Sequence, residues 1–285
     1  MRDIILVLSD QHSAINEADT PFLDVLKETS LCFDHAYCTA PLCVPSRMSF
    51  LCGRLPHELH CFNNDTTLAI DVPTIAHAMG SKGYHTVLVG RMHFKGDDQH
   101  HGFDERLGLD ITSQYWGEYP QKKVEYGAYA GTTKMKNCQR EVGGGYSPVL
   151  AYDDEILKIA LDKLKTKHDE PYFMVIGFYG PHFPYVCEPT YYQKYKERFQ
   201  PDEQLFLPAD AVYHSLQQAS TPERVRNIKA AYCGLIESLD QRVSQLYDEV
   251  LKTCHQPVFI YTSDHGEQIG KRSLFGKQTL YEEAI

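Results

Sequence analysis

The amino-acid sequence predicts an α/β protein whose mostly parallel central sheet is covered by helices on both faces. Three observations carry this. Short apolar runs without polar alternation occur at 4–8, 86–89, 172–178 and 258–262, and a strand apolar on both sides is buried on both sides. Segments of helical periodicity lie between them. The two kinds of segment alternate along the chain, as crossover connections between parallel strands require.

The elements are justified in order. The run Ile4 to Leu8 opens the chain as a buried strand. Thr20 and Pro21 form a helix start, an N-cap followed by a residue preset for the first turn, leading to Glu28. The run from Leu31 to Ala36 fits a second strand, and Pro45 to Cys52 a short helix. Thr74 begins a helix that Gly83 stops, and Thr86 to Val89 returns as a strand. From Tyr152 to Lys165 a helix carries Ile156, Ile159, Ala160 and Leu164 on one face. The strongly apolar run from Tyr172 to Phe178 predicts another strand. A long helix from Pro222 to Thr253 places Val225, Ile228, Tyr232, Leu235, Leu239, Val243, Leu246 and Val250 at helical spacing. The run from Val258 to Thr262 predicts a further buried strand. Residues 96–150 are rich in Gly, Tyr and charge, and read as long loops over the sheet within a single domain spanning 1–285.

Composition narrows the function. With 42% apolar and 23% charged residues the chain is ordinary for a globular protein, and its net charge of −10 argues against nucleic acid or an anionic membrane as partner. An anionic substrate therefore needs a local positive site. The first apolar run is too short for a leader or a membrane span, so the expected location is cytoplasmic. The nine cysteines lack any C-x-x-C pair, which argues against zinc ribbons and disulfide frameworks.

Polar groups follow each strand. Asp10, Gln11 and His12 follow the first, Arg91 and His93 the one ending at Val89, His182 the one ending at Phe178, and Asp264 and His265 the last. Ligands of open α/β sheets bind beyond the carboxyl ends of the strands. Asp10 and Asp264 supply oxygen ligands, and Gln11 and His265 can complete a cation site. Oxygen-rich ligation suits Ca²⁺, with Mn²⁺ the competitor because of the histidine nitrogen. Arg47, Arg91 and Lys277 are available to neutralise an anionic substrate. Taken singly, each of these groups also has an ordinary structural explanation, and His35, His57, His60, His77 and His85 are assigned to that class.

The stretch Cys43-Val44-Pro45-Ser46-Arg47, followed by Gly53-Arg54, resembles the signature of formylglycine-dependent sulfatases of the alkaline phosphatase superfamily. LSDQH at 8–12, TPFLDVL at 20–26, GRMHF at 90–94, HGFDERLG at 101–108, GPHFP at 180–184, TSDHGE at 262–267 and GKQTLYEEA at 276–284 extend the likeness along the chain. The resemblance implies a three-layer α/β/α sandwich and a sulfuric ester hydrolase. It implies oxidation of Cys43 to formylglycine by a maturation enzyme, and a hydrated aldehyde as nucleophile. Asp10, Gln11, Asp264, His265 and residue 43 match metal positions, and Arg47 the arginine that holds the nucleophile. His93 matches the base, and His182 and Lys277 the groups at the leaving oxygen. Asn64 matches a substrate-contacting residue of the choline sulfatase and phosphonate monoester hydrolase branch. Gln11 and His265 also point to that branch, in place of the Asp and Asn of many sulfatases. Arg91 stands where many members have Lys, and counts as a substrate-binding position.

The substrate expected is a small sulfated sugar or other alcohol sulfate. Tyr115, Trp116 and Tyr119 are candidates to stack on a sugar, to enclose a cationic head group, or simply to cover the sheet. Family members usually continue beyond the equivalent of Ile285 through another strand and a C-terminal subdomain, so the chain reads as the N-terminal catalytic part of a longer product. The competing readings are a phosphonate monoester or phosphodiester hydrolase with the same nucleophile and, if Cys43 stays a thiol, a non-catalytic anion-binding chain.

Overall fold

The computed structural model describes residues 1–114, 135–166, 168–202 and 208–285. Among the described residues five parallel strands form the central sheet: β1 (Ile4–Asp10), β2 (His85–Gly90), β3 (Glu105–Leu107), β5 (Tyr172–Pro181) and β7 (Val258–Ser263), in the order β3-β2-β5-β1-β7. Two short strands, β4 (Val142–Gly144) and β6 (Tyr185–Cys187), pair in a second small sheet. Among the described residues the α-helices are α1 (Pro21–Thr29), α2 (Cys43–Cys52), α3 (Ile75–Gly80), α4 (Pro148–Leu164), α5 (Pro189–Arg198) and α6 (Pro222–Thr253).

Strand alternation sorts the core into the layers of the predicted sandwich. Ile5 and Val7 of β1, Val87 and Val89 of β2, and Met174, Ile176 and Phe178 of β5 pack on Ile156 and Ala160 of α4 and on Leu239, Val243 and Leu246 of α6. The intervening residues Leu6, Leu8, Leu88, Phe173 and Val175 face the other way, onto Val44, Met48 and Leu51 of α2 and Ala76 of α3. Full burial of each such aliphatic side chain stabilises the fold by about 1.5–3 kcal/mol. This two-sided burial is why the central strands read as unbroken apolar runs. The longest helix starts as the sequence indicates, at Pro222, with Thr221 accepting a hydrogen bond from Arg224 N at 3.2 Å; α4 starts four residues before the expected Tyr152, at Pro148, because Ser147 caps it by accepting from Leu150 N at 3.4 Å.

The structure corrects several expectations. Residues 31–36 form no strand; Leu31 and Phe33 are exposed and Asp34 and His35 make a turn. An apolar run without a neighbouring strand has no ladder to join. Among the described residues β7 pairs only with β1, and it is half-buried rather than buried. The helix expected from Pro45 begins two residues earlier, at Cys43. Within the loop-rich segment, β3 joins the sheet edge and β4 the small sheet. Tyr115, Trp116 and Tyr119 lie outside the described residues. Among the histidines assigned structural roles, His77 closes a capping box with Thr74 at the start of α3, and His85 pairs with Glu105 at 2.6 Å. No helix among the described residues is long and apolar enough to cross a membrane.

Candidate active site

Strand register builds the site. β1 and β7 run side by side with Ser9 opposite Ser263, so the next residues, Asp10 and Asp264, emerge together although 254 positions apart in sequence. Asp264 N donates to Ser9 O at 3.2 Å and Gln11 N donates to Asp264 Oδ1 at 3.0 Å. Gln11 has φ of 71° and His93 φ of 63°, the left-handed region that costs a non-glycine residue of order 1–3 kcal/mol. Gly90, with φ of 79°, turns the chain out of β2; a Cβ there would lie 2.4 Å from Gly177 O. That close approach lets Arg91 N donate to Gly177 O at 2.7 Å.

Cys43 is the first residue of α2, and seven of the eight residues that follow it are buried as well. Pro45 falls in the first turn, where a missing N–H removes no helical bond. Gly53, with φ of 62°, ends the helix by donating its N–H to Ser49 O at 2.9 Å. The Cys43 Sγ lies 3.1 Å from Lys277 Nζ, 3.3 Å from His265 Nε2 and 3.7 Å from Asp10 Oδ1. This Sγ marks where the side-chain oxygen of a formylglycine would stand. Burial and Asp10 push the thiol up, but Lys277 and His265 outweigh them and its pKa ends below the ordinary value. Burial pushes Cys61, Cys138, Cys187 and Cys233 up instead.

One donor atom from each of Asp10, Cys43, Asp264 and His265 lies within 4.8 Å of the others, all buried. Ligands bound at about 2.3–2.6 Å to one Ca²⁺ ion span up to roughly twice that distance, so the set fits a single cation. The imidazole is oriented for it. His265 Nδ1 donates to Gly266 O at 3.0 Å, so Nε2 is the ring atom turned toward the cluster; burial lowers the ring's pKa but Asp264 and Cys43 outweigh it and raise it above the ordinary value, and a bound cation would take the Nε2 lone pair in place of a proton. Gln11 Oε1 borders the cluster and accepts from Lys277 Nζ at 2.7 Å.

The arginines are differently employed from what the sequence led one to expect. Arg47 donates from Nε to Asp264 Oδ2 at 2.8 Å, from Nη2 to Asp10 Oδ2 at 3.2 Å and from Nη1 to Arg91 O at 3.0 Å. Arg91 donates from Nε to Asp10 Oδ2, from Nη1 to both oxygens of Asp110 at 2.9 and 3.2 Å, and from Nη2 to His93 Nδ1 at 2.9 Å. Its guanidinium also lies 4.2 Å from the centre of the Tyr179 ring. Every nitrogen of Arg91 is thus engaged by protein, so it braces carboxylates rather than offering a hand to substrate. Lys277 faces Cys43, with Nζ 3.1 Å from Sγ.

Two further site residues make hydrogen bonds within the protein. Asn64 Oδ1 accepts from Val44 N at 3.0 Å, so this side chain caps the free amide at the start of α2. A base role for His93 does not fit its bonding, because Nδ1 accepts from Arg91 and the ring's hydrogen must sit on Nε2. His182 has the opposite tautomer: Nδ1 meets Phe183 O at 2.7 Å and carries the hydrogen, leaving Nε2 with the lone pair. Burial, reinforced for His182 by Lys277 and for His93 by Arg91, keeps both rings neutral. Sequence reasoning passed over Asp110, which fixes Arg91 and accepts from His93 N at 3.0 Å, and Glu267, which holds Gln11. Glu267 lies in the TSDHGE stretch, and that was its only signal.

A profile of the sulfatase family matches residues 2–285. The chain is 32% identical over 294 positions to choline-sulfatase of Rhizobium meliloti strain 1021, covering 92% of this chain and 55% of that protein. The chain belongs to the sulfatase family. It is also 26% identical over 300 positions to an ulvan-active sulfatase of Formosa agariphila, covering 99% of this chain and 54% of that protein. The phosphonate monoester hydrolase of Agrobacterium radiobacter shares the fold, with a TM-score of 0.75 at 16% identity over 100% of this chain and 66% of that one. This sulfatase-family chain spans about half the length of the curated relatives it matches.

Proposed function

We propose that this chain hydrolyses the sulfate ester of a small alcohol to alcohol and sulfate, using a formylglycine made from Cys43 beside a divalent cation. The observation that carries the reading is the setting of Cys43, a buried helix-start cysteine aimed at Asp10, His265 and Lys277 rather than at apolar neighbours. A formylglycine supplies hydroxyl oxygens in place of the thiol. Asp10, Gln11, Asp264, His265 and residue 43 would hold the cation, whose charge polarises a bound anion. Three oxygen-bearing side chains make Ca²⁺ the first choice and the histidine makes Mn²⁺ the second.

The remaining roles follow from hydrogen-bonding sense. Arg47 and Arg91 brace the outer oxygens of Asp10 and Asp264, keeping the inner ones turned to the cluster. His182, whose Nδ1 hydrogen is held by Phe183 O so that Nε2 keeps its lone pair, is assigned to take the nucleophile's proton. Lys277 has only N–H to give and is assigned to the leaving oxygen. His93 is assigned as a donor that holds an anionic oxygen. Choline sulfate is the first substrate to try, because of the Rhizobium relative's name. A net charge of −10 also favours a cationic alcohol over a polyanionic polysaccharide.

The test uses the whole protein co-expressed with a formylglycine-generating enzyme. Intact mass reads the exchange of the Cys43 sulfur and two hydrogens for one oxygen. Rates are then compared on choline sulfate, a sugar sulfate, nitrophenyl sulfate and an aryl phosphonate monoester. Faster phosphonate turnover overturns the sulfate assignment. An unmodified thiol with no turnover supports the non-catalytic reading instead.

A further inference from the structure

We propose that Glu267 is the positioning residue that decides which end of the Gln11 amide faces Cys43 and Lys277. It thereby turns an oxygen, and not an N–H group, toward the cation site. The inference rests on the cation-site reading above and concerns how this chain builds that site.

A glutamine amide has two ends of nearly equal shape and opposite sense, and a half turn exchanges them. Gln11 is fully buried between two partners that admit one orientation. Its Nε2 donates to Glu267 Oε2, and its Oε1 accepts from Lys277 Nζ at 2.7 Å. Lys277 can only donate, so the oxygen must face it. Glu267 is equally well placed. Its Oε1 accepts from Ile269 N at 2.9 Å and from Gly276 N at 2.6 Å, which leaves Oε2 for Gln11. Its backbone is pinned, with Glu267 N donating to Glu283 O at 2.7 Å. One carboxylate therefore anchors both Gln11 and Gly276, the residue before Lys277, and it is Lys277 Nζ that meets both the Gln11 oxygen and the Cys43 Sγ.

The chemistry dictates what a single atom change does. In Glu267→Gln the oxygen stays with the two backbone N–H groups, so the new NH₂ faces Gln11. Gln11 must then turn its own oxygen toward residue 267 and its NH₂ toward Lys277 and the cation site. Exchanging the pair, as Gln11→Glu with Glu267→Gln, keeps the total charge and returns an oxygen to both sides of residue 11.

The measurement is titration calorimetry of Ca²⁺ and Mn²⁺ alone into the wild type, E267Q and Q11E/E267Q, with melting temperature followed alongside. Partners that orient a ligand alter metal affinity by about 10–100-fold, and E267Q is expected to weaken it within that range. The exchanged pair is expected to regain wild-type affinity or exceed it. Unchanged affinity in E267Q overturns the inference, as does a weakened E267Q that the exchange fails to restore, which marks Glu267 as merely structural. If E267Q does not fold, the exchanged pair decides: wild-type affinity supports the proposal and lost affinity overturns it. A wild type that binds neither ion overturns the cation reading itself, and this inference with it.

Discussion

Asp3 and Asp10 stand at opposite ends of β1, both buried, and do opposite things. Asp3 gives Oδ1 to Tyr172 N at 2.7 Å and Oδ2 to His255 N at 2.6 Å. Both oxygens are consumed by backbone amides, one at the start of β5 and one just before β7. Asp10 gives Oδ2 to Arg47 and Arg91, while Oδ1 faces Cys43 at 3.7 Å, His265 at 3.8 Å and Lys277 at 3.9 Å. A buried carboxylate satisfied on both oxygens by amides is a staple. One braced on a single oxygen, with the other turned to a cluster of possible ligands, is arranged for something that binds.

The sharpest break of this comparison is Asp10→Ala. It is expected to abolish cation binding by calorimetry and turnover by sulfate release. Removing one partner of a buried ion pair also costs about 3–5 kcal/mol, measurable by urea unfolding in a chelator. Normal cation affinity in this variant would put the Asp10 oxygen outside the site. Next comes Lys277→Met. Loss of a general acid is expected to slow an alkyl sulfate by about 10²–10⁴-fold, and nitrophenyl sulfate far less, because a good leaving group needs little protonation. Equal losses on both esters would remove Lys277 from the leaving oxygen.

Asp3→Ala tests the other end of the strand. Two amides lose their acceptor at about 1–3 kcal/mol each, so a lower urea midpoint is expected with cation affinity and turnover per folded molecule unchanged. A change in affinity would mean that the two ends of β1 are not independent.

The smallest effect is on pH dependence. Burial acts to raise the Asp10 carboxyl, but Arg91, Lys277 and Arg47 hold it well below its ordinary value. A carboxyl depressed in the folded state contributes stability above its unfolded pKa of about 4, and loses it as pH falls through the folded value. In chelator, wild type and Asp10→Asn should therefore differ above about pH 4 and converge only well below it. Convergence already near neutral pH would contradict the depressed carboxyl.

Much of the frame was legible because its signals are local. The run from Tyr172 to Phe178 is apolar on both faces, and β5 is buried throughout. Pro222 and the helical spacing from Val225 to Val250 announced α6. Leu31 to Ala36 misled because apolar character alone does not supply a neighbouring strand. Glu105 to Leu107 was passed over because a three-residue edge strand has too short a pattern to stand out.

The sequence by itself determined the α/β class, the strands that carry the polar groups, and the Cys43 to Arg47 signature. Each depends on residues close together in the chain. Only the tertiary structure decided that Arg91 is bound on every nitrogen, that Asn64 caps α2, and that Asp110 and Glu267 hold Arg91 and Gln11. It also decided which nitrogen of His93 and His182 carries the hydrogen. Those outcomes depend on the hydrogen-bond partner each group meets. Gln11 meets Glu267 across 256 positions and Lys277 across 266, separations closed by the pairing of β7 with β1 and the loop that follows β7.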